Sequence, residues 1–117
     1  MKLPNCDKAT APREKIVDYL LSPTHRDGKS KAAFFARFGF SAEAWQTLAE
    51  ALIRHATEHE VARAEDSPFG TRYVIEGDLH APDGRAPLVR VIWFVDTGAD
   101  IPRFVTAYPH TTKGAEG

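Results

Sequence analysis

Two stretches of this chain gather side chains that can do chemistry on a phosphate. Residues 25–37 hold His25, Arg26, Lys29, Lys31 and Arg37 against one acid, Asp27, which makes this the most basic window in the sequence. Near the carboxyl end, Pro102-Arg103-Phe104-Val105-Thr106-Ala107-Tyr108-Pro109 sets a guanidinium, a hydroxyl and a phenol along one short run. A cation neutralises a phosphate, a hydroxyl donates to its oxygen, and an imidazole or phenol moves or orients a proton. Backbone donors at a helix start, with Lys29 and Lys31 beside them, add an anion cradle. The bland alternative for the basic window is a hydrated helix entrance. Strict alternation sends Arg103 to the strand face opposite Thr106 and Tyr108, so the three converge only where the strand twists or bulges.

Other motifs carry less. His55-Ala56-Thr57-Glu58-His59 has the His-x-x-Glu-His spacing of one class of zinc peptidase. No third ligand follows at a settled position, and both histidines fall on the flank of a core-facing helix, so we expect no metal. Gly28-Lys29-Ser30 ends like a phosphate loop, but Pro23 stands where the earlier glycine is required and no strand precedes it. Cys6, the single cysteine, has no partner for an internal disulfide and no cationic neighbour motif to make it a nucleophile.

The elements that must position these groups are legible. Residues 70–109 form three alternating runs rich in Val, Ile, Phe, Trp and Tyr, broken by Ala81-Pro82-Asp83-Gly84-Arg85 and by residues 96–102. That pattern predicts a three-stranded, or slightly larger, antiparallel meander. Placing Tyr73, Ile75 and Leu79 opposite Val95, Trp93 and Val89 gathers a core face, with Gly77 beside the indole, and Val105 and Ala107 join it. The other face is mixed and carries Arg90 between Asp78 and Tyr108. Upstream, Thr10 caps a first helix bearing Ile16, Val17, Tyr19, Leu20 and Leu21. Ser30 caps a second with Ala32, Phe34, Phe35 and Phe38, stopped at Gly39. Ser41 opens a third whose core arc is Trp45, Leu48, Ala49, Leu52, Ile53 and Ala56. Residues 61–69 read as a charged connector, and 110–117 as a disordered tail. The fold class expected is therefore α+β: two to three N-terminal helices, about residues 10–60, on one face of a C-terminal sheet, about 70–109, in a single domain.

Composition narrows the function classes. A chain of 117 residues buries roughly 65% of its unfolded surface and needs no disulfide or metal to fold. Fifteen Lys and Arg against sixteen Asp and Glu give a net charge of −1, so nucleic-acid binding has to rest on a local patch. No apolar run reaches membrane-spanning length and the first residues lack an apolar leader core, so we expect a cytoplasmic protein without a membrane partner.

Taken together, Gly28-Lys29-Ser30-Lys31-Ala32-Ala33-Phe34-Phe35, Gly39-Phe40, Gly70-Thr71-Arg72-Tyr73, Pro82-Asp83-Gly84 and the Pro102 to Pro109 run resemble a bacterial domain-of-unknown-function family over about residues 2–110. More remotely, helices followed by an antiparallel sheet whose last strand ends in Thr-x-Tyr-Pro resemble the barnase, EndoU, colicin and RelE group of ribonuclease toxins. That resemblance implies cofactor-free, metal-independent cleavage of an RNA substrate by 2′-hydroxyl attack, and a cognate inhibitor protein. It implies His25 as base or acid, Lys31 and Arg103 as phosphate clamps, and Thr106 with Tyr108 as donors. The alternative is a non-catalytic interaction module that binds a partner or forms a homodimer through the second sheet face or an edge strand.

Overall fold

The computed structural model describes residues 1–22, 24 and 29–110. His25, and the phosphate-loop resemblance at Gly28, lie outside the described residues, as does the expected tail beyond His110. A 3₁₀ turn at Cys6–Lys8 leads into helix α1, which begins at Arg13–Lys15 and continues as a π-helical turn, Ile16–Leu20. Helix α2 is Lys29–Ala36 and helix α3 is Trp45–Glu58. Four strands follow, β1 (Val61–Ser67), β2 (Gly70–Asp78), β3 (Leu88–Asp96) and β4 (Arg103–Pro109), in the antiparallel order β1-β2-β3-β4. The α+β class with helices preceding the sheet is as expected. Among the described residues, no helix is long and apolar enough to cross a membrane.

The sheet has one strand more than the sequence announces. Residues 61–67, read as a connector, pair with β2 from Val61↔Ile75 to Ser67↔Gly70. This edge strand pairs with β2 alone among the strands, Val61 N–H also reaching Met1 O at 2.6 Å, and nearly all of it is exposed, so it needs no apolar alternation. Charges hold it instead: Glu65 Oε1 accepts from Arg72 Nη1 at 2.9 Å across the strands, and Thr71 Oγ1 donates to Asp66 Oδ1 at 2.8 Å. Such charges also guard an open edge against pairing with other chains.

The β2–β3 register differs from the expected one by two residues. Tyr73 faces Trp93, Ile75 faces Val91 and Gly77 faces Val89. The turn decides this. Ala81 N–H donates to Arg85 O at 3.0 Å and Gly84 N–H to Ala81 O at 3.1 Å, so the hairpin reverses about Asp83, and Leu79 N–H reaches Pro87 O at 2.9 Å. An even slip leaves every side chain on its expected face, which is why the core prediction survives. Asp83 also fastens the turn by accepting from Arg85 N–H at 2.9 Å.

Strand β4 departs from alternation. Trp93 pairs with Phe104 but Ile92 pairs with Thr106, leaving Val105 as an extra residue. The bulge puts Phe104 rather than Val105 in the core, where its ring meets Trp93 edge-on at 5.8 Å. It also brings Arg103 onto the face of Thr106 and Tyr108, since their partners Phe94, Ile92 and Arg90 alternate on that face.

The helices cover the other face. Leu48, Ala49, Leu52 and Ala56 of α3 are buried together with Ile16, Leu20 and Phe35, against Ile75, Val91, Trp93 and Ala107. Each of the larger of these side chains contributes roughly 1.5–3 kcal/mol on leaving water. Gly39, at φ 98, stops the α2 segment as expected, with Phe40 N–H returning to Phe35 O at 3.3 Å. Two caps differ. Helix α3 begins four residues after Ser41, whose Oγ accepts from Ala44 N–H at 3.3 Å. Thr10 does not cap α1: its N–H donates to Pro102 O and its carbonyl accepts from Phe104 N–H, both at 3.0 Å, so it lies along the outer edge of β4.

His55 and His59 are a staple between α3 and β2. His55 is fully buried and its Nε2–H donates to Gly77 O at 3.1 Å; His59 Nε2–H donates to Asp78 O at 3.0 Å. Glu58 turns away, accepting from Arg54 Nε at 2.7 Å and pairing with His80 Nε2 at 3.0 Å. Among the described residues no group of three metal-ligating side chains forms. The histidine spacing that resembles a zinc motif instead matches successive carbonyls of one strand.

The staple explains the glycine. A Cβ on Gly77 would stand 2.6 Å from the His59 ring, so Gly77→Ala must push that ring off the strand. We expect it to cost about 1–3 kcal/mol in urea unfolding. Combining it with His59→Ala is expected to recover part of that loss, a coupling a double-mutant cycle measures directly.

Candidate functional site

The second face of the sheet carries a compact set of catalytic side-chain types on one cross-strand rung. Glu76, Arg90 and Tyr108 are register partners on β2, β3 and β4. Arg90 donates from Nε and from Nη2 to Glu76 Oε2, each at 2.7 Å, and its guanidinium lies 5.8 Å from the centre of the Tyr108 ring. The Tyr108 phenol first, then the Glu76 carboxylate, hold the Arg90 pKa above its ordinary value. The guanidinium is therefore a fixed positive charge.

His110 completes the group. Its backbone N–H donates to Leu88 O at 3.0 Å, carrying the ladder one residue past Pro109 and placing its ring on the same face. Nδ1 accepts from Arg90 Nη2 at 3.2 Å, which puts the ring proton on Nε2, 3.7 Å from Glu76 Oε1. Arg90 and Glu76 side chains are each 29% exposed and His110 22%. They are reachable by a ligand yet partly shielded from water, where charge interactions exceed those of a fully solvated pair.

The sequence-predicted residues fall around this rung. Tyr108 belongs to it. Thr106, two residues earlier on the same strand face, has its Oγ1 2.7 Å from the Tyr19 hydroxyl of α1. Lys31 on α2 brings its ammonium to 5.4 Å from the Tyr19 ring centre, so Lys31 and Thr106 meet through Tyr19. Arg103 stands at the far end of β4, where its Nε donates to Asp96 Oδ2 at 2.8 Å and its guanidinium covers Phe94 at 5.1 Å. The pair raises the Arg103 pKa and lowers that of Asp96. Of the described candidates, Lys31, Thr106 and Tyr108 thus gather beside β4, and Arg103 is engaged apart from them.

The described candidates, Lys31, Arg103, Thr106 and Tyr108, do not ring one closed cleft. A surface hollow of about 220 Å³ on α3 is lined by Thr47, Glu50, Ala51, Arg54 and His80, none of them a candidate. Sequence reasoning missed Glu76 and His110 and gave Arg90 the wrong acid: its partner is Glu76, not Asp78. The signal was present, because residues 76, 90, 108 and 110 all fall on non-core positions. The two-residue register error separated Glu76 from Arg90, and the assumed tail removed His110.

A family model described as "Domain of unknown function (DUF6883)" matches residues 2–111. No curated protein matches the chain. Among solved structures, one chain of a contact-dependent growth inhibition toxin–immunity protein complex from Klebsiella pneumoniae 342 has the same fold, with a TM-score of 0.70 at 19% identity. The superposition covers 92% of this chain and 97% of that one.

Proposed function

The chain belongs to the DUF6883 family of domains of unknown function, and on that premise we propose that it is a bacterial growth-inhibiting toxin that cleaves RNA without a metal and is held in check by a cognate inhibitor protein. The observation that carries the chemistry is the rung in which Arg90 touches both Glu76 and His110, with Tyr108 beside it. The toxin setting draws on the fold shared with a chain of a toxin–immunity complex.

In this reading a phosphodiester enters over Arg90. Glu76 takes the proton of the ribose 2′-hydroxyl, the oxygen attacks the adjacent phosphorus, and the bond from phosphorus to the 5′ oxygen breaks. The leaving oxygen takes its proton from the Tyr108 phenol, while His110, its Nδ1 accepting from Arg90, holds the guanidinium in place. Arg90 and Tyr108 face the oxygens that gain charge at phosphorus. The products are a 2′,3′-cyclic phosphate and a 5′-hydroxyl end. Thr106 lies one step along the strand with Lys31 of α2 near it across Tyr19, and Arg103 contacts the substrate outside the reacting group.

Purified protein incubated with single-stranded RNA in EDTA is expected to yield fragments with cyclic phosphate ends, and its expression to arrest bacterial growth. Intact RNA beside correctly folded protein, with cells growing normally, would overturn the proposal. A second reading, an inhibitor or interaction module of such a system, is favoured by the net charge of −1 and by arginines already paired to acids. Its signature is protection of cells from a toxin rather than their arrest.

A further inference from the structure

Strand β1 has an outer edge, and the backbone bonds of β2 say which of its groups face outward there. Leu79 N–H donates to Pro87 O and Thr97 N–H to Phe69 O, each at 2.9 Å, so odd-numbered residues along β2 bond toward β3. The even-numbered ones bond toward β1, where Gly70, Arg72 and Val74 face Ser67, Glu65 and Arg63. Ala64 and Asp66 therefore direct their N–H and C=O groups away from the sheet. At one end of this edge Val61 N–H is taken by Met1 O, and at the other the chain turns through Pro68-Phe69, whose carbonyls accept from Thr97. What is left for another strand is residues 62–66, exposed throughout, and its midpoint is Ala64.

In one register this stretch is complementary to itself. A second copy laid antiparallel about Ala64 sets Arg63 against Glu65 of the partner subunit and Glu65 against the partner's Arg63. These fall at the closely spaced pairs of the new ladder, where side chains approach most nearly. Moving the centre to Glu65 would set two carboxylates face to face, and moving it to Arg63 would oppose two guanidinium groups. Bulk does not interfere, since Ala64, level with Tyr73 on the helix-bearing side, is exposed and presents only a methyl group.

We propose that two copies of this chain pair through β1 about a two-fold axis at Ala64, joining their four-stranded sheets into one of eight strands. Arg63 Nε, which in the single chain donates to Glu65 Oε2 at 2.8 Å, turns to Glu65 of the partner subunit, while each Glu65 keeps its own Arg72. The charges that keep foreign strands off this edge thus admit one sequence, its own. Because the axis stands perpendicular to the sheet, the Glu76–Arg90–Tyr108–His110 rungs of both copies open on the same side. The pairing does not depend on whether those rungs cut RNA. Five residues a side fall well below the roughly 800 Å² per partner of a standard interface, so the dimer is weak, with an expected Kd of about 10–100 µM.

Sedimentation equilibrium of the full chain from about 5 µM to about 500 µM tests this, because a Kd in that range carries the average mass from monomer toward dimer. Arg63→Glu and Glu65→Arg each set like charges at both contacts and should weaken self-association about tenfold or more. Mixed in equal amounts, the two variants restore opposite charges at both contacts, and the mixture should dimerise about as well as wild type. Circular dichroism of each variant alone checks that β1 still pairs with β2. A wild type that stays monomeric at about 500 µM overturns the proposal and leaves the edge to a chain of another sequence. A dimer indifferent to Arg63→Glu, or folded variants that stay monomeric when mixed, overturns it as well.

Discussion

Replacing Arg90 with glutamine is expected to lower kcat for RNA cleavage by about 100-fold to 1000-fold, the loss that follows removal of one donor aimed at developing charge. The phosphorane gains negative charge that the bound substrate lacks, so a guanidinium touching it acts more strongly in the transition state than in the ground state, and kcat suffers more than KM. Arg90→Lys keeps the charge but loses the planar fork that now spans Glu76 Oε2 and His110 Nδ1. It should recover only part of the rate. Neither change empties the core, because Arg90 lies on the sheet face opposite Val91 and Trp93 and is 29% exposed; circular dichroism and thermal unfolding should stay close to wild type. Wild-type kcat in a folded Arg90→Gln protein would remove this rung from the chemistry.

Acidification between about pH 6.5 and pH 4 is expected to cost on the order of 3 kcal/mol of stability through a single residue. Burial pushes the His55 pKa down to about 4 from an ordinary 6.5, outweighing the hydrogen bond to Gly77 that pulls it up. The neighbouring His59 ring, 4.7 Å away, opposes its protonation, whereas Asp78 and Glu58 weakly favour it. The unfolded chain takes up the proton below pH 6.5 while the folded chain refuses it until about pH 4. Stability is therefore complete above the unfolded pKa and falls steadily through that window. His55 Nδ1 is also buried without a hydrogen-bond partner, which accentuates the cost of the polar ring there. Urea unfolding at about pH 7 and about pH 4.5 should show the loss in wild type, and His55→Leu should largely abolish the difference between the two. Equal pH dependence in the two proteins would refute it.

The three strands of the meander were legible because their two faces differ in polarity, and the third helix because Leu48, Leu52 and Ala56 recur at helical spacing. Strand β1 was not, because an exposed edge needs no apolar period and Arg63, Glu65 and Asp66 look like any hydrated loop. The role of His55, placed on the flank of the core arc, stayed open for a related reason. A histidine on the border of a core arc turns inward only when a carbonyl such as that of Gly77 lies beneath it, and the spacing of residues does not reveal that carbonyl. The rung was half visible. Tyr108 and Arg90 were paired correctly by alternation, but which acid joined them depended on whether the hairpin turned about Asp83 or one residue later. No local signal announces the π-turn under Tyr19, so the meeting of Lys31 and Thr106 through that ring had no trace in the spacing of residues.

Val105 resets the phase of the last strand. With it, odd and even positions exchange sides partway along, so that numbers 103, 106 and 108 agree in direction although their parity does not. A homologous segment lacking that one residue would still present the same three groups toward the same side. Strands of unequal length can thus display equivalent chemistry here, and a pattern written with fixed gaps would overlook kin that a comparison of sides would find.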